Sequence, residues 1–188
     1  ESKIAAITVA CSGQLLRFKA KTFIDATGDA DLAYMSGCPI QLGRESDNRC
    51  QPMTLCFRVV NVDTVNWDRD GIQKLYKELQ AKGKIKNPRE NVLMFFVPHE
   101  HVVHFNSTRV IKHNPVDPLE LSKAEALARE QMLELFTMLK KNFVAFKDAT
   151  LFNSGISIGV RESRMIIGKH ILNEQELKDC VKFEDRIA

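Results

Sequence analysis

The sequence predicts an α+β fold in which a mixed or antiparallel sheet is flanked by helices. Short apolar segments of strand length recur along the chain and are separated by turn residues. Two longer segments instead repeat apolar residues every three or four positions, which is the spacing of a helix face. The 188 residues, 44% of them hydrophobic, predict one domain, or one domain with an additional lobe, and a substantial core.

The first part of the chain predicts a hairpin, a buried strand and a short helix. Residues 4–10 and 15–20 have strand patterns, and the second alternates apolar with basic side chains. Residues 22–26 form a short apolar run that ends at a threonine and a glycine. Asp29 follows where a helix N-cap is expected, so a helix should begin just after it.

The remainder of the chain predicts further strands and three helices. Ser122 with Glu125, and Asn173 with Glu176, have the spacing of capping boxes. We expect, in order, strands at 40–43 and 53–60, a helix ending near Gly83, strands at 91–97 and 102–106, a helix through 124–139, a strand at 149–158, an extended segment at 165–172 and a last helix.

The turn after the predicted buried strand, Ala26-Thr27-Gly28-Asp29, is the first candidate binding site. Glycine lets a ligand approach the backbone closely, and a helix N-terminus presents N–H groups with partial positive charge. Asp29 and Asp31 add negative charge at the same place, so an uncharged or hydroxylated part of a ligand fits better than bare pyrophosphate. The alternative is an ordinary strand-to-helix turn.

Five motifs in order along nearly the whole chain resemble FAD-dependent oxidoreductases of the glutathione-reductase superfamily. The first is similar to the ATG motif of that superfamily. The motifs are Ala26-Thr27-Gly28 within 24–33, Gly43-Arg44-Glu45, Gln51-Pro52-Met53-Thr54, Asn106-Ser107-Thr108-Arg109 and Gly159-Val160-Arg161-Glu162-Ser163-Arg164.

The resemblance implies a function and a domain organisation. Ala26, Thr27, Gly28 and Asp29 would contact FAD. Residues 1–36 would be the remnant of a FAD-binding domain, with the tail of a β-meander, and residues 37–188 the substrate or cap domain. The chain would then be the substrate-side region of a two-domain flavoprotein, covering the flavin and forming the pocket in which a small-molecule substrate undergoes hydride transfer.

The chain lacks one expected feature of such flavoproteins. No Gly-x-Gly-x-x-Gly occurs in it, and it begins with Glu1. We therefore expect an internal fragment whose partner is the rest of its own chain, the FAD domain. The fragment alone is expected to be inactive and to hold no FAD.

The segment Asn106-Ser107-Thr108-Arg109 is the candidate substrate site. Four polar residues after an apolar strand could be its solvated end, or they could line a pocket, because loops at strand ends often carry sites. The family resemblance favours a pocket formed by Asn106, Thr108 and Arg109.

Arg161, Glu162 and Arg164 are the candidate catalytic residues. Guanidinium groups bind carboxylates or phosphates through two hydrogen bonds, and Glu162 can hold one of them in place. A positive group beside a flavin would also stabilise its reduced, anionic form. A buried ion-pair network that braces the sheet is the alternative.

Charge and metal-ligand residues point to no further class of function. A net charge of +3 does not predict nucleic-acid binding, and no apolar run is long enough to span a membrane. His99, His101 and His104 could suggest a metal, but a turn between strands explains them better, and we expect none. An arginine within an apolar strand, such as Arg58, usually extends to solvent or meets a carboxylate at the sheet edge; contact with a ligand is the other alternative.

Cysteine usage suggests a cellular compartment. Five cysteines without a Cys-x-x-Cys pair predict neither a disulfide framework nor zinc, and suggest a reducing, cytoplasmic location. Oligomerisation is left open. The alternative function is a non-catalytic α+β binding or assembly domain in which the motifs are structural.

Overall fold

The computed structural model describes residues 3–97 and 101–186 and confirms the α+β fold. Every strand pair in the described residues is antiparallel. The strands are β1 Ile7–Cys11, β2 Gln14–Phe18, β3 Ile40–Leu42, β4 Phe57–Val60, β5 Met94–Val97, β6 Val102–Phe105, β7 Thr150–Ser154 and β8 Arg164–Ile166. The helices are α1 Asp31–Met35, α2 Arg69–Ala81, α3 Pro118–Asn142 and α4 Glu174–Lys178, with a 3-10 turn at Val144–Phe146.

The described chain divides into two compact units. Gly43–Ser163 forms the unit that we call the central unit, and the two segments on either side of it form the second, which we call the flanking unit. The functional division of residues 1–36 from 37–188 stays a prediction.

The central unit contains the hydrophobic core. Its four-stranded sheet has the order β5-β6-β4-β7. Successive side chains of a strand point to opposite faces of the sheet, and the buried apolar side chains of β4 and β6 form part of the core. Phe57 and Phe105 lie opposite each other in this core, with parallel rings 4.8 Å apart. Ile72 of α2 and Leu135 of α3 belong to the same buried cluster, so the two helices and the sheet share one core.

Two isolated bridges bring distant segments of the central unit together. Met53 and Val110 exchange backbone hydrogen bonds of 2.9 Å in both directions. The next residue, Thr54, pairs in the same way with Gly159. The segment before Met53 therefore lies beside the segments around residues 110 and 160.

The N-caps of α3 and α4 confirm one predicted capping box and correct another. Asn173 and Glu176 form the predicted capping box of α4. The predicted capping box of Ser122 and Glu125 is wrong, because α3 begins four residues earlier at Pro118. There the Asp117 carboxylate accepts two backbone hydrogen bonds, and proline needs no partner for a missing N–H.

The flanking unit consists of the β1–β2 hairpin, the β3–β8 pair and two short helices. The predicted strand at 22–26 is wrong: the segment has no regular secondary structure, and Ile24 is 85% exposed. A strand needs a neighbour for its backbone hydrogen bonds, and none of the described residues forms a ladder with this segment.

Candidate functional site

The turn at Ala26–Asp29 is organised by the carboxylate of Asp25. Asp25 accepts hydrogen bonds from the Ala33 N–H at 2.9 Å, the Thr27 N–H at 3.0 Å and the Thr27 hydroxyl at 2.8 Å. These hydrogen bonds, of which the one from Ala33 has the largest effect, lower the pKa of Asp25 below its usual 3.8. The Thr27 hydroxyl in turn accepts the Asp31 N–H at 3.1 Å.

This arrangement corrects the predicted cap. Ala30, not Asp29, stands at the N-cap of α1, in the left-handed conformation at φ 54°, and Asp25 and Thr27 satisfy the first N–H groups of the helix. A protein carboxylate thus occupies the place that a phosphate would take at a helix N-terminus.

Gly28 leaves room on the outer side of the turn. Its φ of 86° lies in the region that glycine adopts readily, and a Cβ built on it would meet no described atom within 4 Å. The turn can therefore be approached closely by an uncharged part of a ligand.

Arg164 lies at this same turn. Its guanidinium donates to the Asp31 carboxylate at 2.6 Å and to the Asp29 carbonyl at 3.1 Å, and it stacks 4.4 Å from the ring centre of Tyr34. Arg164 therefore offsets the negative charge of Asp31 next to the residues predicted to contact the cofactor.

The central unit has a cationic pocket of about 470 Å³ that brings two predicted site residues together. Arg109, a predicted substrate residue, and Glu162, a predicted catalytic residue, both line it. We call it the arginine pocket. Its lining also includes Arg44, Arg49, Cys50, Gln51, Pro52, Ile111 and Lys112.

The loop at residues 43–49 supplies two of the cations. The Asp47 carboxylate accepts two hydrogen bonds from the Arg44 guanidinium, at 2.7 and 2.8 Å, and lies 3.4 Å from Nε of Arg49. Arg44 lowers the pKa of Asp47 to about 2. At Gly43, φ is 61° and an added Cβ would lie 2.5 Å from the backbone carbon of Arg49, so the loop closes this tightly only with glycine.

Arg109 is held from both sides. Its guanidinium donates from Nη1 to both oxygens of Glu90 at 2.8 Å. The buried amide of Gln131 accepts the Arg109 N–H at 2.8 Å and donates to the Arg109 carbonyl at 3.1 Å. Helix α3 therefore sets the position of the Arg109 backbone.

The other predicted substrate residues have different surroundings. Thr108 is fully buried, and its hydroxyl bonds both the N–H and the carbonyl of Leu55, at 2.7 and 3.0 Å. Asn106 is half-buried, and its backbone N–H donates to the Leu93 carbonyl at 3.1 Å. Neither side chain is among those that line the arginine pocket.

Glu162 is positioned by the backbone opposite it. Its carboxylate accepts the Gln51 N–H at 2.6 Å. Burial and the charge of Glu162 raise the pKa of the Cys50 thiol, which therefore stays neutral at neutral pH. Arg161, the neighbour of Glu162, is exposed.

A smaller pocket of about 300 Å³ lies on the solvent face of the sheet. Arg58 and His104 are paired across β4 and β6 and both line it, with Asn153 on the other side of Arg58. Burial, and then the charge of Arg58, lower the pKa of His104 below 6.5, so its imidazole is neutral at neutral pH.

His99, one of the three histidines considered for a metal, lies outside the described residues. Among the residues that are described, no group of three His, Cys, Asp or Glu side chains could hold a metal ion. In the same part of the chain, no helix is long and apolar enough to cross a membrane.

Several residues at these sites escape sequence reasoning. Gln131 had a usable signal, because it is a polar residue in the buried register of a helix, between Ala128 and Leu135. The roles of Arg49 and Lys112 depend on contacts between segments far apart in sequence, so no local pattern indicates them.

Comparison with protein families defines the class of this chain. A family profile described as FAD dependent oxidoreductase matches residues 1–188, and the chain belongs to that family. No curated protein and no solved structure matches it.

Proposed function

We propose that this chain is the substrate-side region of a FAD-dependent oxidoreductase of the ATG-motif type, in the glutathione-reductase superfamily. The reaction would be a two-electron hydride transfer with a small molecule held in the arginine pocket. The observation that carries this proposal is that Arg109 and Glu162, selected from separate motifs, line one pocket.

The residues at the turn fit part of FAD. Gly28 permits close approach, while Asp25 supplies the negative charge at the helix start and disfavours pyrophosphate there. Ala26, Thr27, Gly28 and Asp29 would contact an uncharged part of the cofactor. When bound, FAD supplies the two-electron acceptor.

The remaining predicted residues receive roles from their contacts. Arg164 would hold the turn in shape through Asp31 and the Asp29 carbonyl. Glu162 would orient the substrate, because it lines the arginine pocket and the Gln51 N–H holds its carboxylate. Arg161 would contribute positive charge to substrate or reduced flavin.

The apolar surface of the flanking unit supports a contact with the rest of the FAD domain. Ala30 is the one apolar side chain that is buried in the described part of this unit, whereas Leu15, Ile24 and Met35 are 76%, 85% and 81% exposed. A unit without its own core needs a surface that covers its apolar side chains. We assign that surface to the FAD domain of the same protein.

The same exposed side chains favour a second candidate function, a non-catalytic binding or assembly domain. Flavin content of the full-length protein distinguishes the two. The enzyme should purify with flavin, whereas an assembly domain should purify without it.

The turn is tested by Gly28→Val in the full-length protein, with Gly13→Val as the matched control. Both glycines have positive φ, 86° and 79°, and open space around a Cβ, so backbone strain is similar. We expect Gly28→Val to lose flavin and Gly13→Val to retain it. Full flavin occupancy in Gly28→Val would remove the turn from the cofactor site.

Arg161→Lys tests the catalytic segment, because lysine keeps the charge and loses the two-pronged hydrogen bonding. Flavin reduction by substrate should slow by at least about tenfold, which corresponds to ~1.4 kcal/mol of activation free energy, and the melting temperature should not change. Unchanged kinetics with a lowered melting temperature would make Arg161 structural.

A further inference from the structure

We propose that the arginine pocket recognises a small hydroxycarboxylate, an organic molecule with one or two carboxylates and a neighbouring hydroxyl. This inference rests on the proposed function only where it calls that molecule the substrate. The binding chemistry itself follows from the pocket.

The charge balance of the pocket favours an anion. Arg44, Arg49, Arg109 and Lys112 contribute four positive charges. Three carboxylates oppose them: Glu162 in the lining, Asp47 beside Arg44, and Glu90 beside Arg109. One net positive charge remains, which suits a ligand with one or two negative charges.

The cations also keep donors for a ligand. Arg109 contacts Glu90 through Nη1 alone, and Arg44 contacts Asp47 through Nε and Nη2. None of the ion pairs among the described residues involves Lys112. Guanidinium groups with remaining N–H donors bind carboxylates through paired hydrogen bonds.

The rest of the lining favours an organic skeleton over inorganic phosphate. Pro52 and Ile111 are apolar, and the Cys50 thiol is neutral because burial and Glu162 raise its pKa. These groups cannot bond a phosphate oxygen strongly, but they can cover carbon atoms.

Glu162 adds the requirement for a hydroxyl. Its carboxylate, fixed by the Gln51 N–H at 2.6 Å, would repel a ligand that is anionic throughout. A hydroxyl can donate to it, and an ionised carboxylate can only accept. An ammonium group at the same place would add a positive charge to a pocket whose net charge is already positive, which disfavours amino acids.

The test is calorimetric titration of the full-length protein with L-malate, with succinate as its counterpart without the hydroxyl, and with inorganic phosphate. We expect malate to bind at least about threefold more tightly than succinate, and phosphate to bind weakest. Binding should weaken as salt rises, because charge drives it.

Variants locate the binding. Arg49→Gln, at a largely exposed side chain, and Arg109→Gln should each weaken malate binding by at least about tenfold. Arg129→Gln is the matched control, because Arg129 pairs with Glu125 on α3 and does not line the pocket. Glu162→Gln should reduce the preference for malate over succinate.

The proposal is overturned if phosphate binds as tightly as malate, if succinate binds as tightly as malate, or if Arg49→Gln and Arg109→Gln bind malate as the unaltered protein does. A protein that binds malate but purifies without flavin would refute the proposed function and keep this inference. A full-length protein that purifies with flavin but does not bind malate would refute this inference and keep the proposed function.

Discussion

Replacing Gln131 by methionine should both destabilise the protein and weaken ligand binding in the proposed anion site, the arginine pocket. Gln131 is 4% exposed and its amide makes two hydrogen bonds to the backbone of Arg109. Methionine has a similar length but neither donates nor accepts effectively there, so the Arg109 N–H and carbonyl lose their partners.

The magnitude follows from those two groups. Each lost hydrogen bond removes about 1 kcal/mol, and a buried group left without a partner costs about 1–3 kcal/mol. The bridge between Val110 and Met53 still holds the neighbouring backbone and limits the change. We expect a loss of about 2–4 kcal/mol in the free energy of unfolding, and a malate affinity lower by at least about threefold.

Gln73 supplies a matched control. Its amide donates to the Val92 carbonyl at 2.6 Å and accepts the Val92 N–H at 2.9 Å, the same two-bond contact at a site outside the arginine pocket. Urea unfolding and malate titration should show that Gln73→Met loses stability but retains affinity. If Gln131→Met loses stability and binds malate normally, the reasoning that Gln131 positions Arg109 is refuted.

Three further predictions concern Gly43, Asp25 and His104. Gly43→Ala should weaken malate binding at least about threefold, since its Cβ would lie 2.5 Å from the Arg49 backbone; normal affinity by calorimetry would contradict this. Because the pKa of Asp25 is depressed on folding, its contribution to stability should be lost as pH falls through that pKa, below 3.8, and Asp25→Asn should flatten this acid limb of thermal unfolding. Arg58→Met should raise the pKa of His104, measured by NMR titration, because it removes a nearby positive charge. An unchanged His104 pKa in the variant would exclude a charge effect. Since folding lowers the pKa of His104, the unaltered protein should lose stability as pH falls below 6.5.

Local patterns were enough to predict several elements. The hairpin, the two amphipathic helices and the capping box of α4 depend on residues close together in sequence, so alternation, helical spacing and cap chemistry reveal them. Gly28 has the positive φ that suits a glycine turn, and its contact with a cofactor stays a prediction. Membership of a FAD-dependent oxidoreductase family was predicted from motif order and is confirmed.

Where local rules compete, the sequence was less informative. Asp29 was predicted as the helix cap, but the path of the turn places Ala30 at the N-cap and brings the Asp25 carboxylate to the Ala33 N–H. Residues 22–26 have the composition of a strand, but a strand forms only beside a partner, and sequence composition does not supply one.

The arginine pocket was decided by tertiary structure alone. Arg109 and Glu162 were recognised as separate candidates, but two backbone bridges, at Met53 and Thr54, bring their segments to one place. The same packing buries Thr108, whose hydroxyl bonds Leu55. The sequence by itself determined which side chains could recognise an anion; long-range backbone pairing decided which of them meet, because hydrogen bonds between distant segments leave no periodic signal along the chain.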